Sequence, residues 1–354
     1  MAEKIRVLEV ANQLGGYGGT ERVLYVLTKY LNRERFEPRV YSRMGLGGDN
    51  IAGYERMGVP LIHDVPLAEV LESFKPHIMH IHRAGWEEPE AIEAARAAGV
   101  PIIVETNVFG RPDPSASGQQ IDCHIFVSYF CMRRYHQWVG HPLVAGKYEV
   151  LYNPLDPEDY EGRVFERQYD VPTIGRYSRN DDSKWHSICV EMFPYLRQEV
   201  PNTRFLIAGE TDTVRTKFEE LQCSDAVEYL PMTHDRNELM NYLGRFHVFA
   251  HGADIGESFG IVIAEAMAAG LPVVTHQSLG GRDNAQAELV DHGVTGFVVD
   301  DSVQYAAAVA FLLQNPEKAR EMGAHGRKKA WACFDARSIA QGLESIFESF
   351  VARI

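Results

Sequence analysis

Apolar residues in this chain fall in short runs divided by stretches of helical spacing, and the alternation runs through twice. Ile5-Arg6-Val7-Leu8-Glu9-Val10 reads as a strand and a glycine-rich turn follows it. Val23, Leu24 and Leu27 then place one apolar face on a helix over residues 20–31. Pro38-Arg39-Val40-Tyr41-Ser42, His77-Ile78-Met79-His80-Ile81-His82, Pro101-Ile102-Ile103-Val104-Glu105-Thr106 and Cys123-His124-Ile125-Phe126-Val127-Ser128 are further strands. An alanine-rich helix over 88–98 is closed by Gly99. Strands alternating with helices predict parallel pairing through right-handed crossovers, so residues 1–152 are expected to form a doubly wound α/β sheet.

The order restarts after Asn153-Pro154-Leu155-Asp156-Pro157, a turn-rich hinge. Thr173-Ile174-Gly175, Arg204-Phe205-Leu206-Ile207-Ala208, Ala226-Val227-Glu228-Tyr229-Leu230, Val248-Phe249-Ala250 and Val273-Val274-Thr275 are the strands of a second domain over 153–337. A last amphipathic helix, within 338–354, carries Ile339, Leu343, Ile346, Phe347 and Phe350 on one face. That face can cap either domain, the first being the expected one. Two doubly wound, Rossmann-like domains facing each other would set the C-terminal ends of their strands, where open sheets bind ligands, across a shared cleft.

Composition changes this picture little, but charge narrows it. The 354 residues are 45% hydrophobic and 24% charged, which suits globular cores. The formal net charge of −14 is uneven: residues 1–152 hold 16 Lys and Arg against 18 Asp and Glu, and the rest hold 19 against 31. No basic field of the kind nucleic acid requires is present. The near-neutral first half leaves room only for a local basic patch and peripheral membrane contact; Arg133-Arg134-Tyr135-His136-Gln137-Trp138 is read chiefly as a solvated helix face. No run reaches the roughly 18–20 apolar residues that cross a bilayer, and the first residues lack a signal peptide's apolar core. Cys123, Cys131, Cys189, Cys223 and Cys333 are scattered and form no Cys-x-x-Cys pair, so no zinc site or disulfide framework is expected and a cytoplasmic setting is.

The chemistry concentrates in residues 256–274. Gly256-Glu257-Ser258-Phe259-Gly260 reads as a loop, residues 261–269 as a helix stopped by Gly270, and Leu271-Pro272-Val273-Val274 as the next strand. Glycines let backbone approach a ligand, and a helix start offers free N–H groups to a phosphate or a sugar hydroxyl. Eight residues separate Glu257 from Glu265, on the order of 12 Å at about 1.5 Å rise per residue. Glycosidase carboxylates stand at roughly 5 Å or roughly 6.5–9.5 Å. A pair flanking one bond is therefore disfavoured against two contacts spread along an elongated ligand.

This segment, Glu257-Ser258-Phe259-Gly260 through Glu265-Ala266-Met267-Ala268-Ala269-Gly270-Leu271-Pro272-Val273-Val274, resembles the signature of glycosyltransferase family 4, retaining enzymes of the GT-B fold in the glycosyl transferases group 1. The resemblance implies that Glu257 contacts the donor sugar's hydroxyls and Glu265 the ribose. It also implies that backbone at Ser258, Phe259 and Gly260 helps hold sugar and phosphate. Further matches run in order along the chain. Gly15-Gly16-Tyr17-Gly18-Gly19-Thr20-Glu21-Arg22 is similar to the family's first-domain glycine loop, with Gly16, Gly18 and Gly19 near the donor phosphates. Pro76 to His82 resembles a strand ending in a histidine-bearing loop; His77 and His80 are read as core or surface histidines, and His82, at the strand end, is open. Gly175-Arg176-Tyr177-Ser178-Arg179-Asn180-Asp181-Asp182-Ser183-Lys184 resembles the family's Gly-Arg loop followed by lysine, cations suited to a diphosphate. The stretch is longer than usual there, so Arg176 and Arg179 both stand for the phosphate role, with Lys184. Ala208-Gly209-Glu210 matches the glycine end of the next strand, and residues 293–299 a later turn and strand.

One position departs from the family. Asn107 stands where a histidine often closes the fifth first-domain strand, and an amide cannot accept a proton near neutral pH. Donor phosphate oxygen could take that proton instead. The expectation is a retaining hexosyltransferase-type enzyme with Glu257, Lys184, Arg179 and Asn107 in catalytic positions and a nucleotide diphosphate sugar as donor. Its acceptor would be a sugar, a lipid-linked or a small-molecule hydroxyl, and no cofactor or metal would be required. A nucleotide-sugar epimerase on the same architecture and a non-catalytic nucleotide-sugar-binding protein are the alternatives.

Overall fold

The computed structural model describes residues 3–14, 19–45, 50–140, 144–165, 167 and 170–353. The chain forms two compact units, 1–154 with 336–354, and 155–335. Elements of the first are β1 (Ile5–Ala11), α1 (Gly19–Tyr30), β2 (Phe36–Ser42), α2 (Ile51–Arg56), β3 (Leu61–Ile62), α3 (Leu67–Phe74), β4 (Ile78–Arg83), α4 (Pro89–Ala97), β5 (Ile102–Asn107), β6 (Cys123–Phe126), α5 (Tyr129–Val139) and β7 (Tyr148–Val150). The second holds β8 (Thr173–Tyr177), α6 (Ile188–Glu199), β9 (Arg204–Ala208), α7 (Asp212–Glu220), β10 (Val227–Leu230), α8 (Arg236–Arg245), β11 (Val248–Ala250), α9 (Ile261–Ala268), β12 (Val273–His276), α10 (Gln286–Leu289), β13 (Gly296–Val299), α11 (Ser302–Gln314) and α12 (Pro316–Phe334). The chain then returns to the first unit as α13 (Ala336–Val351).

Both sheets are parallel. Strand order is β3-β2-β1-β4-β5-β6-β7 in the first and β10-β9-β8-β11-β12-β13 in the second. Each chain segment builds outward in one direction and then reverses, so the order switches between β1 and β4 and between β8 and β11. Open parallel sheets bind ligands beyond the carboxyl ends of the strands at such a point, because the two departing loops diverge there and leave a crevice. Near-continuous apolar runs follow from helices covering both faces. β4 and β5 are buried at every position.

The second core is built around aromatic edges: Phe193, Phe205 and Phe218 are fully buried, with ring centroids 5.5–5.9 Å apart. Turn glycines are demanded at two places beside the second switch point. A Cβ on Gly209 (φ +87°) would lie 1.8 Å from the Ser178 carbonyl oxygen, and one on Gly256 (φ +70°) 1.6 Å from that of Asp283. The short edge strand β3 had no counterpart in the sequence pattern, since two residues carry no periodicity.

The apolar stripe of α13 closes the first unit. Phe347 is fully buried, 6.1 Å from the Phe36 ring and 5.5 Å from His80. Phe347→Ala is expected to destabilise this unit by about 3–5 kcal/mol, the cost of a large cavity in a packed core. Urea unfolding followed by circular dichroism reads it, and a loss under about 1 kcal/mol would show that α13 is not part of that core.

Candidate functional site

The loops leaving β8 and β11 form the crevice of the second unit. After β8 the backbone runs through Ser178 to a short 3-10 turn, Asp182–Lys184. Asp181 caps this turn by accepting from the Ser183 N–H at 2.9 Å. The loop after β11 is joined to it: His186 N donates to Gly252 O (3.1 Å) and Ile255 N to Ser183 O (3.2 Å). Arg176 fastens both. Its guanidinium is buried, donates to Gly252 O at 2.9 Å and to Lys184 O, and lies 3.8 Å over the Trp185 ring. Trp185 in turn donates its indole N–H to Gly209 O at 3.0 Å. Burial lowers the Arg176 pKa from its ordinary value. These bonds spend Arg176 on its own loops.

Lys184 is thereby aimed at Glu257. Its Nζ donates to both carboxylate oxygens, at 3.0 and 2.9 Å, and both side chains are mostly buried, 17% and 14% exposed. The Glu257 backbone is fixed independently: its N–H donates to Gln286 Oε1 (3.0 Å) and its carbonyl accepts from Ala285 N (2.8 Å). Desolvation pushes the Glu257 pKa up, but the Lys184 charge and the neighbouring His251 outweigh it and bring it down to about 2. His251 Nε2 lies 3.5 Å from Glu257 Oε1, and Nδ1 lies 2.8 Å from Thr275 Oγ1. Burial lowers the His251 pKa, so a neutral imidazole sits beside an ionised carboxylate. Such a carboxylate accepts hydrogen bonds and does not donate a proton near neutral pH.

Gly260 caps α9 in the left-handed region (φ 98°), with no side chain satisfying the helix start. Phe259 is buried against Phe334, ring centroids 5.2 Å apart, and anchors this turn to α12. Ser258, just before Phe259, is half-buried. Glu265 points elsewhere. Its Oε1 lies 2.6 Å from Arg236 Nη2, and Oε2 accepts from the Tyr177 hydroxyl. Arg236 also donates to Asp159 Oδ2 at 2.8 Å, and the two carboxylates raise its pKa despite its burial. Glu257 and Glu265 therefore have separate cations. Arg179, by contrast, is 49% exposed and only 3.7 Å from Asp181, an ion pair of small worth.

In the first unit, Gly19 begins α1, while Gly16 and Gly18 lie outside the described residues. Asn107 ends β5 and is 1% exposed. Its Nδ2 donates to Arg111 O at 2.7 Å and its Oδ1 accepts from Arg111 N at 3.2 Å. Both ends of the amide hold the turn after β5, a task that needs a donor and an acceptor on one short side chain. Beneath it, Glu105 is fully buried and bonded by Arg83 Nε and by His124 Nδ1, each at 2.5 Å. Sequence reasoning missed His251, Trp185, Arg236 and Tyr177. His251 alone had a signal, its place directly after a strand.

Residues 161–329 match the family described as Glycosyl transferases group 1. The chain is 33% identical over 190 residues, 50% of it and 47% of the relative, to a GDP-mannose-dependent alpha-(1-6)-phosphatidylinositol monomannoside mannosyltransferase of Mycolicibacterium smegmatis. It is 25% identical to N-acetyl-alpha-D-glucosaminyl L-malate synthase of Bacillus anthracis, over 79% of this chain and 77% of that one. The chain spans under half the length of several curated relatives it matches, 41–47%. Among solved structures, Anabaena Alr3699/HepE in complex with UDP and glucose superposes with a TM-score of 0.74 at 20% identity, covering 98% of this chain and 100% of that one. These likenesses show the two-unit GT-B fold, with a Glycosyl transferases group 1 domain in the second unit.

Two outcomes follow from the geometry. Arg176→Lys, which loses the guanidinium fork, is expected to destabilise the second unit by about 2–3 kcal/mol, whereas Arg179→Ala stays within about 0.5 kcal/mol; equal losses in thermal unfolding would contradict the assignment. Glu257 has a depressed pKa in the folded state, so the stability it contributes is complete above the ordinary 4.5 and disappears as pH falls toward 2. The melting-temperature gap between the parent and Glu257→Gln should accordingly narrow across that window, and a gap constant with pH would refute the pairing.

Proposed function

We propose that this protein is a retaining glycosyltransferase of family 4, moving a sugar from a nucleotide diphosphate sugar to an acceptor hydroxyl. The observation that carries the reading is the Lys184–Glu257 pair at the carboxyl ends of β8 and β11, beside the uncapped start of α9. A cation there faces the donor's diphosphate, and an ionised carboxylate accepts from the sugar's hydroxyls. The group 1 domain match and the names of the relatives, several of them nucleotide-sugar-dependent transferases, point the same way.

In this reading the second unit binds the donor. Lys184 meets the diphosphate as a point charge, and Arg179 swings from its weak partner Asp181 to add a bidentate contact. Arg176 does not reach the phosphates; it holds the loop that carries Lys184. Glu265, oriented by Arg236 and Tyr177, keeps a second lone pair on each oxygen for the ribose hydroxyls. The bond from the sugar's anomeric carbon to the diphosphate breaks, and the acceptor oxygen bonds that carbon on the same face. The acceptor's proton goes to the departing phosphate oxygen, since the ionised Glu257 supplies no base of suitable pKa. No metal or cofactor is needed, because Lys184, Arg179 and backbone N–H groups from Ser258 to Gly260 stabilise the charge that develops. Acceptor choice rests with the first unit's loops.

Incubating the protein with uridine, guanosine and adenosine diphosphate sugars and following nucleotide release tests this. One donor is expected to turn over, and Lys184→Ala and Glu257→Ala to lower release by about 10²-fold or more. Unchanged release in both variants would overturn the roles given to them.

A further inference from the structure

The first unit buries a second cluster that the proposed transfer does not use. His80 and His82 are two apart on β4 and so face the same side of the sheet. Glu9 on β1 stands directly across from His80 in register. All three are buried, at 2% exposure for Glu9, 0% for His80 and 3% for His82. Glu9 Oε2 lies 2.8 Å from His80 Nδ1 and 3.5 Å from His82 Nε2, and one donor atom from each residue falls within 4.8 Å of the others.

These short approaches are charge contacts that fall outside good hydrogen-bond geometry. Glu9 Oε2, His80 Nδ1 and both ring nitrogens of His82 have no hydrogen-bond partner. Buried polar atoms without a partner are rare and costly, and one such atom from each of the three residues calls for a ligand that the three can share. Donors set around a common centre crowd one another, as these do. A tetrahedral ion with bonds of about 2.0–2.1 Å spaces its ligand atoms at about 3.4 Å, between the two distances observed. The outer nitrogen of His80 is already held, with Nε2 2.8 Å from Thr106 Oγ1, the second contact that orients a metal-bound imidazole. Beside His82 is a cavity of about 10 Å³ bordered by Thr20, Thr106 and Asn153, room for a fourth ligand of about the size of one water.

We propose that Glu9, His80 and His82 form a divalent-metal site, two imidazoles and one carboxylate suited to Zn²⁺ or Co²⁺, that ties β1 to β4 inside the first unit. The test of this site needs no substrate. Full-length protein is stripped with chelator and titrated with Co²⁺. The expected result is one equivalent bound, visible d–d absorption of a four-coordinate ion and a raised melting temperature. His82→Gln should weaken binding at least 100-fold. Failure of the parent to bind Co²⁺ or Zn²⁺ stoichiometrically overturns the proposal, as does parent-like binding in a folded His82→Gln. X-ray absorption on the Zn²⁺-loaded parent requires no variant: two imidazoles with oxygen ligands support the site, and a sulfur shell or three or more imidazoles overturns it.

Discussion

The buried guanidinium of Arg176 holds the second unit's crevice in shape, since it donates to a backbone carbonyl in each of the two loops that leave the switch point. Loops at such a point diverge by construction, and nothing in sheet pairing determines their distance. A planar cation with several donors can span the gap, and the Trp185 ring beneath it restores part of the solvation lost on burial. With both loops fastened, the Lys184 ammonium and the Glu257 carboxylate meet with little freedom left to lose. Trp185 extends the same brace to Gly209, at the end of the neighbouring strand β9.

Charge is handled in the same manner throughout the unit. Glu257 and Glu265 are both mostly buried, and each has its own cation, supplied by a different element. Desolvation alone would favour the neutral form of Glu257; the Lys184 ammonium and His251 together more than reverse it. The outcome at Glu257 is a fixed charge at neutral pH with a neutral histidine beside it. It suits a reaction governed by where a leaving diphosphate's charge is stabilised more than by a titrating base.

Much of this was legible in the residue pattern. Alternating strands and helices implied two parallel, doubly wound sheets, and the structure has them. Boundaries shifted by a residue or two, as at β5, which runs to Asn107, because the last residues of a strand are decided by what bonds to them. The Gly-Glu-Ser-Phe-Gly turn and the helix after it were readable because glycine placement and apolar spacing are local. Asn107 was read as a gap in the chemistry, yet its two bonds to Arg111 give it a structural task.

Sequence by itself determined the order of elements, the direction of pairing and the segment that carries the candidate chemistry, since all three follow from periodicity and turn residues a few positions apart. Only the tertiary structure decided which arginine is buried and spent and which is exposed with a weak partner, because Arg176 and Arg179 differ by three positions and not by type. It also decided that Arg236 rather than a nearer cation meets Glu265, and that Glu9, His80 and His82 crowd together on one face. Burial is the common reason. The state and partner of a charged side chain depend on what packs over it, and that comes from parts of the chain distant in sequence.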